Sequence, residues 1–278
     1  MPDGTTEIAR KTGERWILPL VIWLFPLITL ALGVRTWLPP LASEHGAGID
    51  GILRYLLITV GALLVIGHLA LGYFILRFGG QERVGPFRMP SARTERMWSL
   101  VPVVILALVA EGGVLVLGLP VWNKFYASAA PPESVTVEVT AEQFAWNVRY
   151  SGPDGKFGPT DPKRITLNEP LGLDRSDPAT KDDILVLNEI WVPLGLPVQI
   201  LLRSKDTLHS FFLPNFRVKQ DAVPGMNIQF WFVPTKAGTF ELACAELCGL
   251  GHFEMRGLFH VLPREEFQKW LSEQSPAQ

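Results

Sequence analysis

The residues that could do chemistry in this chain are concentrated in its last third. One segment reads Cys244-Ala-Glu-Leu-Cys248-Gly-Leu-Gly-His252-Phe-Glu-Met255, and His209 lies 35 residues before the first cysteine. Thiolate, imidazole and thioether donors together select copper among the common biological metals. Zinc is satisfied by cysteine and histidine alone and rarely takes methionine. The pattern therefore predicts a copper site, whose chemistry is electron transfer.

The two cysteines, the only ones in the chain, allow more than one interpretation. In an exported protein two cysteines usually form a disulfide, but a disulfide leaves His209, His252 and Met255 without a role. A mononuclear blue-copper site needs one cysteine, two histidines and an axial methionine, so the second cysteine is surplus to it. Two thiolates that bridge two coppers use both cysteines. One imidazole per metal then completes each trigonal set, with Met255 and a backbone carbonyl as weak axial ligands.

Three apolar segments precede this site, and each is long enough to cross about 30 Å of hydrocarbon as a helix. They are Trp16–Val34, Ile52–Leu76 and Met97–Trp122. The linker Pro39–Asp50 has no Lys or Arg, whereas the linker Arg77–Arg96 has five Arg, which the positive-inside rule assigns to the cytoplasm. The chain beyond the third segment is therefore expected on the extracytoplasmic side, in a bacterial-type inner or plasma membrane.

Two features of the membrane segments allow more than one interpretation. A basic start, an apolar run and the triplet Ala31-Leu32-Gly33 fit a cleavable signal peptide, but the run is long for one, and we expect an uncleaved helix. His68 and Glu111 lie within the later segments, where ionisable groups are costly and usually face protein. We expect them to pack against a partner subunit, either separately or as a pair.

Beyond Ser134 the chain has the pattern of an all-β domain. Short apolar runs that alternate with polar residues predict strands, and Gly/Pro/Asp-rich segments between them predict turns. A short helix is expected to begin near Pro263. Such closely spaced short strands indicate a β-sandwich or barrel. The expected strands are Val135–Val139, parts of Ile184–Val192 and of Val198–Leu202, Asn227–Val233, Thr239–Ala243 and Gly257–Leu262.

Charge divides the chain at the same place. Residues 127–278 hold 14 Lys/Arg and 19 Asp/Glu, a net of −5, and residues 1–126 have a net of +3. An acidic surface suits a basic partner protein and disfavours nucleic acid, whose phosphates need clustered Lys and Arg. The expected domains are an N-terminal basic segment with the extra helix (1–50), a helical hairpin (51–126) and the exported domain with its C-terminal helix (127–278).

The chain resembles subunit II of the haem–copper cytochrome c oxidases. The resemblance rests on the Cys-x-Glu-x-Cys-Gly-x-x-His-x-x-Met run and on three further segments: Asp206-Thr-Leu-His209-Ser-Phe, Lys219-Gln-Asp221-Ala-Val-Pro-Gly225 and Thr94-Glu95-Arg-Met-Trp98-Ser-Leu-Val-Pro102. It implies a transmembrane α-helical hairpin, here with an extra N-terminal helix, followed by an all-β cupredoxin-like barrel. It also implies a dinuclear copper A centre.

Six positions match the family's copper ligands: His209, Cys244, Glu246, Cys248, His252 and Met255. The resemblance implies that the two cysteines bridge both metals. His209 and Met255 then complete one copper, and His252 and the backbone carbonyl of Glu246 complete the other.

The resemblance also covers residues outside the copper ligands. The Glu246 carboxylate resembles the residue that helps hold magnesium at the boundary with subunit I, and Glu95 matches the acidic residue at the cytoplasmic mouth of a proton path there. This chain departs from the family's aromatic patch, Gln-Trp-x-Trp. Phe144 stands in place of the first tryptophan, through which electrons enter in the family, and Trp146 matches the second tryptophan. Met226 stands where the family commonly has arginine.

The resemblance implies an electron-accepting subunit of a respiratory oxidase. It would take electrons from cytochrome c or a membrane-held cytochrome and pass them to haem in subunit I, where oxygen reduction is coupled to proton translocation. The ligand set leaves no open position and no general base, so this chain alone should do no bond-making chemistry. The alternatives are a subunit of a membrane nitric oxide reductase and a copper-delivery or assembly protein, although a closed six-ligand site suits delivery poorly.

Overall fold

The computed structural model describes residues 4–35, 38–79, 89–166 and 169–274. Two arginines of the basic linker, Arg83 and Arg88, lie outside the described residues. The chain divides into two compact units, one within residues 1–37 and 50–119 and the other within residues 38–49 and 120–278. The first unit is helical, and the second contains all the described strands.

All three apolar segments are helices, as predicted. Helix α1 is Gly4–Arg35, α2 is Gly46–Phe78, α3 is Ala92–Leu106 and α4 is Gly112–Trp122. α3 and α4 belong to one continuous helix, interrupted by a π-helical turn at Ala107–Glu111 and extended by another at Asn123–Ala127. The apolar stretches long enough to cross a membrane are Arg15–Val34, Gly46–Phe78 and Ala92–Ala127.

The extra N-terminal helix packs on α2. The Trp23 indole N–H donates a hydrogen bond to the Leu69 carbonyl at 3.2 Å, and the Phe25 ring stacks on His68 with centroids 6.1 Å apart. Gly72 makes this approach possible, because a Cβ there would lie 2.2 Å from the Trp23 indole nitrogen. α1 and α2 are therefore in direct contact at these residues.

The pairing of His68 with Glu111, one of the two expectations for these residues, is wrong. Tyr55 of α2 donates a hydrogen bond to the Val109 carbonyl, which sets Tyr55 level with the π-helical turn that contains Glu111. His68 lies thirteen residues further along α2, or roughly 20 Å along the helix axis. Its Nδ1 lies 2.8 Å from the Leu64 carbonyl of its own helix.

The second unit is a sandwich of two five-stranded sheets, which confirms the predicted all-β architecture. The first sheet has the order β3-β2-β1-β5-β8 and the second β4-β10-β9-β6-β7. Only the β1–β5 and β4–β10 pairs among the described strands are parallel. The strands are β1 Val135–Glu142, β2 Ala145–Tyr150, β3 Ile184–Leu187, β4 Glu189–Pro193, β5 Val198–Ser204, β6 His209–Leu213, β7 Val218–Ala222, β8 Ile228–Phe232, β9 Gly238–Cys244 and β10 Arg256–Leu262.

Parts of Ile184–Val192 form strands, as predicted, but they belong to two different sheets because the chain changes sheets at Asn188. Asn188 adopts a left-handed backbone with φ of 60°, which asparagine tolerates better than most residues. Its N–H donates to the Trp146 carbonyl at 2.8 Å, and its side-chain oxygen accepts from the Trp146 N–H at 2.8 Å. β3 therefore ends in the first sheet and β4 begins in the second.

Three strands went unpredicted: β2, β6 and β7. In β6, four of the five residues are buried, so apolar and polar positions do not alternate. The core between the sheets is aromatic, and its largest fully buried side chains include Trp146, Phe211, Phe216, Phe232 and Phe259. The C-terminal helix α5, Arg264–Glu273, is present as predicted. Trp270 of that helix stacks on Trp191 with centroids 5.3 Å apart.

A buried ion-pair network fastens the long β2–β3 connection to the first sheet. The Arg149 guanidinium lies 2.9 Å from a Glu138 carboxylate oxygen and 3.0 Å from an Asp183 carboxylate oxygen. It also donates to the Gly158 carbonyl at 2.9 Å. Buried charges persist when they are paired and hydrogen-bonded, so this arginine holds the connection at both ends.

The linker between α1 and α2 is part of the β unit. Ala42 N–H donates to the Asn215 carbonyl at 2.7 Å, and the Ala42 carbonyl accepts from Thr235 N–H at 2.8 Å. The Ser43 hydroxyl donates to the Phe216 carbonyl at 2.7 Å. His45, in the same linker, is only 4% exposed.

His45 is held in a largely apolar pocket. Its ring meets Phe125 and Trp231 edge-on, with centroids 4.9 and 4.6 Å away. Neither ring nitrogen has a hydrogen-bond partner among the described residues. Burial first, and then the positive charge of Lys124, lowers the pKa of His45 to about 4, against the opposing effect of Glu44. The linker is therefore docked by a neutral imidazole.

We predict that acid weakens this docking through His45. Between pH 6.5 and about 4 the unfolded chain binds a proton that the folded chain does not, so stability falls as pH falls. At about 1.4 kcal/mol per pKa unit, the loss amounts to at most about 3.5 kcal/mol. His45→Phe keeps the aromatic contacts and should flatten this part of the profile. Urea unfolding of the detergent-solubilised chain at several pH values measures it, and an equal slope in the variant would contradict the assignment.

Candidate metal centre

Three segments of the β unit bring the predicted ligands together. His209 is the first residue of β6, and Cys244 is the last residue of β9. Phe211 of β6 lies opposite Cys244 in the antiparallel β6–β9 pair, so strand pairing brings His209 and Cys244 together although they are 35 positions apart in the sequence. Cys248, His252 and Met255 follow in the ligand loop, which we define as residues 245–255 between β9 and β10.

The donor atoms converge. One donor atom each from His209, Cys244 and Cys248 lie within 4.8 Å of one another, and all three residues are buried. The two sulfur atoms are 3.9 Å apart. His252 Nδ1 lies 3.5 Å from the Cys248 sulfur, and the Met255 sulfur lies 3.2 Å from His209 Nδ1 and 3.8 Å from the Cys248 sulfur.

These spacings fit bound metal. Metal bonds to imidazole nitrogen and thiolate sulfur of about 2.0–2.3 Å place two donors of one tetrahedral ion roughly 3–4 Å apart. The Glu246 carbonyl oxygen belongs to the same set, 3.2 Å from the Cys244 sulfur. Both cysteines are free, so the disulfide interpretation does not describe this structure. The thioether of Met255 among the donors favours copper over zinc.

Hydrogen bonds connect the ligand loop to the β-sandwich. Cys244 N–H donates to the Met255 carbonyl at 3.2 Å, and Ala245 N–H donates to the Ser210 carbonyl at 3.0 Å. The side-chain amide of Gln143, which follows β1, donates to the Cys248 carbonyl at 2.5 Å. The ligand loop is thus held by contacts with β6 and β9 and by the Gln143 side chain.

Glycines let the aromatic turn after β1 approach this loop. Gly249 has φ of 146°, a conformation that side chains rarely adopt. A Cβ at Gly251 would lie 2.5 Å from the Phe144 ring, and one at Gly249 would lie 2.7 Å from the Gln143 amide nitrogen. Phe144 therefore covers the loop directly.

Asp206 orients His209. One of its carboxylate oxygens lies 2.8 Å from His209 Nε2, and the other accepts a hydrogen bond from Gln143 N–H at 2.7 Å. This assigns the ring proton to Nε2 and leaves Nδ1, next to the Met255 sulfur, for a metal. Asp206 belongs to a segment that resembles the family, but its contact with His209 was not predicted from the sequence. The signal was an acidic residue three positions before a candidate ligand.

The two thiols have opposite tendencies to ionise. Burial raises the pKa of the Cys244 thiol, but hydrogen bonds with His209 and with the backbone of Ser210 and Glu246 outweigh burial and lower it. Burial and the adjacent Cys244 charge raise the pKa of Cys248. The Cys248 thiol therefore ionises less readily than the Cys244 thiol, and a metal that takes both sulfurs must displace its proton.

The two aromatic residues at the positions of the family's aromatic patch differ in exposure. Trp146 is fully buried, with its ring 6.5 Å from that of His209. Phe144 is half-buried. The ligand loop itself carries the exposed apolar groups: Leu247, Leu250 and Phe253 are 83%, 98% and 71% exposed.

The other predicted residues lie away from the donor set or at its edge. Glu95 is in the first turn of α3, after the N-cap Ser91, and belongs to the helical unit. The Glu246 side chain is half-buried, and Met226 is 54% exposed. His260 lies outside the donor set: its Nδ1 is 3.0 Å from the Thr239 hydroxyl, and its ring stacks on Trp191 with centroids 3.8 Å apart.

Comparisons with known proteins agree with one another. The family described as "Cytochrome C oxidase subunit II, periplasmic domain" matches residues 135–260. "Alternative cytochrome c oxidase subunit 2" of Bradyrhizobium diazoefficiens is 35% identical over 86% of this chain and 84% of its own. "Cytochrome c oxidase subunit 2" of Cereibacter sphaeroides is 28% identical over 86% and 80%. A solved periplasmic domain of subunit II from Bradyrhizobium japonicum is 31% identical over 52% of this chain and 95% of its own, with a TM-score of 0.38.

We predict that Asp206 controls the affinity of the site for metal. Asp206→Ala frees the His209 ring, and loss of such an orienting partner typically weakens metal binding by about 10- to 100-fold. Asp206→Asn keeps an oxygen in place and should lose less. Copper competition titrations measure this. Glu254→Gln, which removes an exposed carboxylate one residue before Met255, is the matched control. An equal loss in the control would mean that charge, and not ring orientation, is responsible.

Proposed function

The chain belongs to the cytochrome c oxidase subunit 2 family, and on that premise we propose that it is the electron-accepting subunit of a respiratory haem–copper oxidase. One observation supports this most directly. Two free, buried thiols 3.9 Å apart are accompanied by two imidazoles and a thioether within 3.8 Å of a neighbouring donor. Such a set suits two coppers bridged by two thiolates.

The neighbouring donor atoms support one division of the ligands between two metals. Cys244 and Cys248 would hold both metals, because their sulfurs are buried and lie 3.9 Å apart. His209 and Met255, whose donor atoms are 3.2 Å apart, would complete one metal. His252 and the Glu246 carbonyl would complete the other: His252 lies beside the Cys248 sulfur and the carbonyl beside the Cys244 sulfur.

A copper pair held in this way would supply a one-electron store. The chain's own contribution is to keep the donors still. β6 and β9 are hydrogen-bonded strands, Asp206 fixes the His209 ring, and Gln143 holds the Cys248 carbonyl. Burial keeps water from the sulfurs and raises the strength of every electrostatic interaction there. Rigid ligands and exclusion of water both reduce reorganisation when an electron arrives or leaves.

The chain would act within a larger assembly in the lipid bilayer. We propose that a cytochrome delivers electrons on the extracytoplasmic side and that haem in subunit I receives them, with oxygen reduction and proton translocation carried by subunit I and other oxidase subunits. The half-buried Glu246 carboxylate would help hold magnesium at the subunit I boundary. Glu95 would lie at a cytoplasmic proton entrance. The domains proposed remain 1–50, 51–126 and 127–278.

We predict that the copper-loaded chain contains two coppers that share one unpaired electron. Oxidised samples should give an EPR hyperfine pattern from two equivalent nuclei, because both thiolates bridge. Cys244→Ser or Cys248→Ser should abolish this signal, since each sulfur serves both metals. Met255→Leu should keep it with an altered reduction potential, because an axial contact is weak.

The opposite order of effects would reject this assignment. If Met255→Leu lost all copper while Cys244→Ser kept the shared-electron signal, Cys244 would not be a bridge. A single-copper pattern at one copper per chain would reject the dinuclear site itself and restore the blue-copper interpretation.

We predict that a soluble basic cytochrome c reduces the centre at a rate that falls with ionic strength. The exported part has a net charge of −5, and its field is screened beyond about 10 Å at 0.1 M salt. Stopped-flow mixing from about 10 to about 300 mM salt measures this decline. Phe144→Trp, which restores the family's residue above the ligand loop, should raise the rate at every salt concentration. A rate that is slow throughout, with a tightly bound cytochrome in the purified complex, would instead identify a membrane-held donor.

A further inference from the structure

Glu111 is an ionisable group in the middle of the third apolar helix. No other residue between Arg96 and Lys124 carries an ionisable side chain. At 1.5 Å per residue, Glu111 lies roughly 22 Å from Arg96 and roughly 20 Å from Lys124 along the axis. It is therefore at the centre of a stretch that crosses about 30 Å of hydrocarbon.

The helix changes its hydrogen bonding at this residue. Ala107–Glu111 forms a π-helical turn between α3 and α4, a feature that often occurs at functional positions. On the α2 side of this turn, the Tyr55 hydroxyl donates to the Val109 carbonyl. Gly113 leaves room for it, because a Cβ there would lie 2.0 Å from the Tyr55 oxygen. The contact with α2 thus uses Tyr55 and the backbone, and does not involve the carboxyl group.

Nothing else in the described part of the chain satisfies the Glu111 carboxyl. Its side chain is exposed, and no hydrogen bond or ion pair to it is present among the described residues. His68, the other ionisable group within the spans that sequence analysis singled out, lies roughly 20 Å away along α2. Hydrocarbon has no hydrogen-bond donor to offer, and charged or polar side chains at this depth almost always face protein or a water-filled cavity.

The surface around Glu111 allows another helix to come close. Ala107 and Gly112 flank it with small side chains, and a Cβ at Gly112 would meet only the Ala107 carbonyl of its own helix, at 3.7 Å. Leu108 and Leu115, one turn to either side, are 72% and 57% exposed. Small residues at such positions let membrane helices approach until polar side chains bond across the interface.

We propose that Glu111 is the polar anchor at which this chain binds a transmembrane helix of a partner oxidase subunit, one that presents a hydrogen-bond donor such as Arg, Lys or a hydroxyl residue at mid-membrane. The occupant rests on the proposed function, since that function places the chain in an oxidase. Charge complementarity indicates which side chain the partner helix presents, because the Glu111 carboxyl in hydrocarbon needs a hydrogen-bond donor. A second copy of this chain fits poorly, because a two-fold contact there would bring two carboxyls together.

The assembled oxidase in native membranes provides the test. We expect Glu111→Leu to lower the ratio of copurified partner subunits to this chain, across a detergent titration, by roughly 3- to 18-fold, the range that single interhelical hydrogen bonds account for. Glu111→Gln should lose less, because an amide still accepts a hydrogen bond. The control is Val116→Leu, a change at a 73% exposed apolar residue roughly 140° around the helix from Glu111, which should have no effect.

A photo-crosslinking residue at Leu115 identifies the occupant. Crosslinks to another oxidase subunit support the proposal, whereas crosslinks to a second copy of this chain, or to lipid alone, overturn it. Wild-type detergent resistance in Glu111→Leu also overturns it. The shared-electron EPR signal of the copper-loaded chain is the separate readout: its absence in the wild type would reject the proposed function, while its retention in Glu111→Leu would show that the variant is folded.

Discussion

The metal centre depends on the antiparallel pairing of β6 with β9. His209 begins one strand and Cys244 ends the other, so the backbone hydrogen bonds of a sheet hold the two donors side by side. The other donors lie within eleven residues of Cys244 and need only a short loop to reach it. A sheet is a stiff support, because each strand is fixed by its neighbours. Donors mounted on it can remain in place when the charge of a bound metal changes.

The turn after β1 adds a second constraint from the opposite sheet. β1 is the central strand of the first sheet, and Gln143 follows it directly. Its backbone N–H binds the Asp206 carboxylate, and its side chain binds the Cys248 carbonyl. Gln143 thus links the residue that orients His209 to the loop that carries a cysteine. The same turn puts Phe144 against Gly251, so the aromatic substitution at Phe144 sits on the ligand loop and not at a remote surface.

The two units treat polar groups differently, and physical necessity explains the contrast. In the β unit, buried charged side chains form ion pairs with one another, as Glu138, Arg149 and Asp183 do. His45 is buried as a neutral ring, and its nitrogens have no hydrogen-bond partner among the described residues. In the helical unit, the exposed Glu111 carboxyl has no hydrogen-bond or ion-pair partner among the described residues. A subunit that folds around its own cofactor can satisfy its interior alone, whereas a membrane helix that belongs to an assembly can leave a polar group for another chain.

The sequence by itself determined the type of chemistry and the division of the chain. The types of donor and the spacing from Cys244 to Met255 were enough to predict a copper site, because metals differ in the ligands they prefer. The three apolar runs were enough to predict membrane helices, because bilayer thickness sets the length of a spanning helix. Tertiary structure alone decided that the chain switches sheets at Asn188, that β6 pairs with β9 beside the loop, that Asp206 faces His209, and that His45 is buried. These facts depend on contacts between residues far apart in the chain. Local periodicity carries no information about such contacts, least of all in strands like β6, where nearly every side chain is buried.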